Sequence, residues 1–163
     1  NMKKLFSTIL VLGLLLSGNA FGQSMISLRA YVEKNKNNKD YEYYIYYRCT
    51  AVYTYATRST TDEELRKELM ESSRAIMSFS MKALSRTMKL DTETAIQRVS
   101  DHVELIHEIY ITDGYEHHSK TGSYLAPYMK SDIIVCGELL GPVMEDILKQ
   151  NKWKNIYHDG CLL

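Results

Sequence analysis

Excess charge is the first thing the sequence lacks. Its 20 basic residues are balanced by 20 acidic ones, and without Lys3 and Lys4 the acids lead by two. Such a chain has no basic footprint for the phosphates of a nucleic acid. Long apolar runs are also missing beyond residues 5–16, so no later segment is expected to enter a membrane. There is no Gly-x-Ser-x-Gly elbow. Asp113-Gly114 and Lys120-Thr121-Gly122 are isolated turns rather than a phosphate-cradling loop. Cysteine is scarce, and Cys49, Cys136 and Cys161 have neither CxxC nor CxxCH spacing, which excludes a dithiol redox motif and covalent haem. No internal repeat or low-complexity stretch occurs.

The one apolar run follows Lys3-Lys4, with Met2 read as the start, and leads into Ser17-Gly18-Asn19-Ala20. A positive end, a short apolar stretch and small residues make a secretory signal peptide, with cleavage expected after Ala20. Twelve residues are too few to span ~30 Å of hydrocarbon as an anchor. The expected destination is the periplasm or the outside of the cell. Residues 21–163 are expected to form one domain that is free of the membrane after cleavage. In an oxidising compartment the default use of the cysteines is a structural disulfide.

The most unusual stretch is 40–58, DYEYYIYYRCTAVYTYATR, which holds seven of the 13 tyrosines and neither glycine nor proline. Tyrosine, threonine and valine suit a strand. Helical spacing fits the whole length better, with Tyr41, Tyr44, Ile45, Arg48, Cys49, Val52, Tyr55 and Ala56 on one face. Further helices are expected from a capping box at Thr61-Asp62-Glu63-Glu64 toward Lys89. Another runs from an Asp91 cap to Asp113-Gly114 or onward to Ser119. A fourth begins at Pro127 and ends at Gly141-Pro142, followed by a short fifth over 142–150. A short helix around Leu28 and Tyr31-Val32 precedes a solvated run at 33–39. The fold class is therefore all-α, a small bundle of four to five helices.

Met129, Ile133, Cys136 and Leu140 share a face of the fourth long helix, as Cys49 does on the first. A Cys49–Cys136 bond would tie these two helices together, with Cys136–Cys161 as its rival. Glu104 and His107 have a Glu-x-x-His spacing that could contribute to a metal site, and His102, His107, His117 and His118 cluster nearby. The spacing occurs only once, so a solvated helix face is the simpler reading. Met70, Met77, Met81 and Met88 read as core filling. His158, three before Cys161, has no third group to orient it. No catalytic residue, metal or cofactor is assigned.

The remaining signal is a second face of the tyrosine-rich helix, Tyr43, Tyr46, Tyr47 and Tyr53. Tyrosine brings large contact area at low entropic cost, so an exposed ridge would be a recognition patch for a protein or small ligand. Alternatively the helix is central and packed all round, which its dearth of charge favours. The function expected is an exported, non-catalytic binding protein, its partner a periplasmic protein or a small ligand. A metal- or cofactor-binding bundle and an enzyme with a site invisible in sequence are the alternatives.

Overall fold

The computed structural model describes residues 25–38 and 41–149, the last seven as backbone only. The expected signal peptide, Trp153, His158 and Cys161 lie outside them. The described residues form an all-helical bundle of five helices. These are α1 (Leu28–Asn35), α2 (Tyr41–Ser59), α3 (Glu63–Met88), α4 (Thr92–Thr121) and α5 (Pro127–Lys149).

Helix boundaries follow local chemistry. Asp62 caps α3 by accepting from the amides of Glu64 and Leu65, and Asp91 caps α4 through Thr94. The α3 cap is thus Asp62 rather than Thr61, because the carboxylate one residue later reaches two of the orphan N–H groups. α3 ends at Lys89 and α4 at Gly122, both in the left-handed region at φ 53° and 76°. Helix α1 extends into the charged run as far as Asn35, further than composition suggested.

One break left open in the sequence and one expected break do not occur. Helix α4 continues through Asp113-Gly114 to Thr121. Gly114 is buried under Tyr55, and a Cβ there would stand 1.7 Å from the Tyr55 hydroxyl. The glycine serves close helix approach, not chain reversal. Helix α5 runs through Gly141-Pro142 to Lys149 with Pro142 inside it. Pro142 and Glu138, whose carbonyl loses its helical partner, are both on the exposed side. Water can satisfy that carbonyl, so the helix need not stop.

Helix α2 is the centre of the bundle and packs against all four others. Every residue from Tyr47 to Tyr53 is buried, so it has no solvent face over two turns. Cys49 and Cys136 are bonded, with Cα atoms 5.6 Å apart, which joins α2 to α5 as their matching faces predicted. Ile45, Val52, Val99, Ile106, Met129 and Leu140 are among the buried apolar residues around this staple.

One ion pair sits within the core. Arg48 and Asp132 have fully buried side chains, with Arg48 Nη2 2.6 Å from Asp132 Oδ2. The same oxygen accepts from Arg48 Nε at 2.9 Å and from the Tyr110 hydroxyl at 2.7 Å. Asp132 Oδ1 accepts from the Leu28 amide at 2.6 Å, which fastens the start of α1 to α5. Arg48 Nη2 also donates to the Ile26 carbonyl. Burial disfavours the Arg48 cation, but Tyr110 and Asp132 outweigh it and raise the guanidinium pKa. Burial foremost pushes the Tyr110 hydroxyl far up, so it stays protonated and donates.

Candidate ligand-binding cleft

The tyrosines of α2 do not form one outward ridge. Tyr53 is buried against α5, where its hydroxyl lies 3.5 Å from the Ile133 carbonyl, and that burial raises its pKa. Tyr46 packs edge-on to Phe79 of α3, with ring centroids 5.2 Å apart. Burial, followed by the charge of Glu42, raises its hydroxyl pKa. Tyr47 is 7% exposed and Tyr43 half-buried. These two, with Tyr44, open onto a cleft of about 340 Å³.

The cleft is built from same-face pairs. Tyr43 and Tyr47 are four apart on α2, Leu84 and Met88 four apart at the end of α3, and Arg98 and His102 four apart near the start of α4. Residues at that spacing stack one turn above another, so each helix offers a two-residue strip of wall. Tyr31 of α1 adds a further side, its ring 4.1 Å from that of Tyr44. The volume would hold roughly ten waters at ~30 Å³ each, at the small end of ligand pockets.

The walls are held in place. Arg48 Nη1 donates to the Tyr44 hydroxyl at 3.4 Å, and the guanidinium lies 5.9 Å from the Tyr44 ring centroid. The cleft is therefore braced by the buried Arg48–Asp132 pair. The His102 ring lies 5.1 Å from Tyr47 at a 32° tilt. His102 Nδ1 is 2.7 Å from the Arg98 carbonyl, and only a protonated nitrogen can bond there. In the neutral ring Nε2 is then the acceptor. Arg98 Nη1 lies 3.7 Å from Met88 Sδ and forms no ion pair among the described residues. Among the described residues no carboxylate lines the cleft.

The other candidates scatter. Glu104 is exposed, while His107 is half-buried beside the Tyr55 ring, its Nε2 buried without a hydrogen-bond partner. Burial, assisted by Arg58, holds the His107 imidazole below its ordinary pKa. His118 stacks on Tyr124 at 3.9 Å. Among the described residues no three potential His, Cys, Asp or Glu ligands converge on a point. Met77 and Met81 pack against the core, whereas Met70 and Met88 are more exposed. Leu105 is 61% exposed, and Ile106 next to it faces the core.

Tyr43 and Tyr47 belong to the second tyrosine face singled out in the sequence, and the other lining residues do not. Arg98 carried no signal beyond its spacing from His102, and Leu84 and Met88 read as ordinary core. No protein-family model, curated protein or solved structure matches the chain.

Proposed function

We propose that this is an exported, non-catalytic helical protein that binds a small ligand in the cleft between α1, α2, α3 and α4. The observation that carries the proposal is the convergence of Tyr31, Tyr43, Tyr44 and Tyr47 on one concavity with Arg98 and His102 at its wall. An aromatic-lined concavity with a few polar groups is the usual form of a small-molecule site. Its braced walls mean that little order must be gained on binding. The Cys49–Cys136 bond supports an oxidising compartment and hence export. A small ligand is favoured over a protein partner because Tyr47 and Tyr53 are buried and unavailable to a docking surface.

Two measurements test this. Produced in a bacterial host from the whole chain, the protein should be recovered from the periplasm with Phe21 as its first residue. Cytoplasmic protein with residues 1–20 intact would refute export. Binding is tested by ligand-observed NMR with the neutral aromatic probe 2-naphthol. Saturation transfer should be seen with the native protein and be lost in Tyr43→Ser. A signal unaffected by Tyr43→Ser, or no signal, would refute the cleft as the site.

A further inference from the structure

We propose that the cleft selects a small planar anion, such as an aryl carboxylate or sulfonate. This rests on the cleft being the binding site, and it adds a charge preference to that reading.

Shape comes from the tyrosines. Tyr31 and Tyr44 present tilted ring faces, and Tyr47 sits beside the His102 ring. Flat π faces at fixed tilts favour a flat apolar ligand body, which can stack offset or edge-on.

The charge balance is the deciding feature. Aromatic walls by themselves attract cations as well as neutral rings, so tyrosines alone leave two ligand classes open. Among the described residues the only formal charge at the wall is the Arg98 guanidinium, and its side-chain contact is a thioether, not a carboxylate. A cationic ligand would meet that guanidinium with no acid among the described lining residues to offset it. An anionic ligand would supply the missing partner and could take a forked pair of N–H donors. Arg98 is exposed, so solvent moderates the effect. It is expected to be about fivefold in affinity, as for a solvent-accessible ion pair.

The test uses three probes with one aromatic body: 2-naphthalenesulfonate, 2-naphthol and 2-naphthyltrimethylammonium. Affinities are measured by isothermal titration calorimetry at low ionic strength. The expected order is sulfonate first by about fivefold over naphthol, with the ammonium weakest. Arg98→Gln should remove the sulfonate's advantage over naphthol. Raising the salt to ~0.5 M should shrink the same advantage. Naphthol binding equal to sulfonate binding, or an ammonium that binds best, overturns the charge selection and leaves the cleft as the site. A sulfonate advantage that survives Arg98→Gln also overturns it, since the anion would then be bound elsewhere. If none of the three binds, the cleft reading falls and this one with it.

Discussion

Arg48 and Asp132 are the two side chains whose loss the core can least absorb. Taking both charges out of water is costly, and they are tolerated because almost every donor and acceptor is answered by Tyr110, Tyr44, the Leu28 amide or the Ile26 carbonyl. Removing one partner strands the other. Asp132→Ala is expected to lower unfolding free energy by about 3–5 kcal/mol, whereas the apolar double replacement Arg48→Met with Asp132→Leu should cost clearly less than the two single changes together. Urea denaturation of the four proteins in that cycle measures the difference, and additive losses would refute the coupling. Gly114 is the second such position. Alanine normally stabilises a helix by ~1 kcal/mol over glycine. Here its methyl would strike Tyr55 and lie 2.9 Å from the Tyr124 carbonyl, so Gly114→Ala should destabilise by about 1–3 kcal/mol. A raised melting temperature would show that α2 and α4 have room to separate. Arg48 could be read from sequence, as the lone charge on an inward helical face. Asp132 was equally readable, three after Met129 and four before Cys136, but an acid at a helical spacing gives no hint of which helix holds its cation.

At the scale of the elements, the fold depends on how α2 is pinned. The disulfide closes 87 residues of chain, and by loop entropy a closure of that length contributes about 4 kcal/mol. Cys49→Ser with Cys136→Ser should therefore unfold at much lower urea, with helical circular dichroism retained in buffer only if the core outlasts that loss. A midpoint equal to the native protein's would mean that the bond adds nothing. The α3 cap is a smaller matter, and Asp62→Ala should cost about 1 kcal/mol in the same assay. Helix positions were legible because capping residues and apolar periodicity act within a few residues of each other. The end at Gly114 stayed open and that at Gly141-Pro142 was misjudged for the opposite reason. Whether glycine or proline stops a helix depends on what packs beside it, Tyr55 in one case and open solvent in the other.

For the molecule as a whole, one part of the pH response comes from a half-buried base. His107 is held below its ordinary pKa by burial first and by Arg58 second, so the unfolded chain binds the proton more readily. Stability is therefore full above the unfolded histidine pKa of ~6.5 and declines as pH falls from there toward the lower folded value. Melting temperature followed from pH 7.5 to 5 should show this slope, and His107→Leu should flatten it. A slope unaltered by the substitution would assign it to other groups.

The sequence by itself determined the all-α class and the placing of the long helices, and it favoured the cysteine pair that staples them over its rival. Each rests on a repeat or cap carried within one segment. Tertiary structure alone decided that α2 is enclosed on every side, and that its tyrosines divide between α3, α5 and a cleft. Only it placed Arg98 at the wall of that cleft, with no carboxylate among the described lining residues. Those facts depend on how each helix is rotated toward its neighbours. That rotation is set by side chains far apart in the chain packing together, and no local pattern records it.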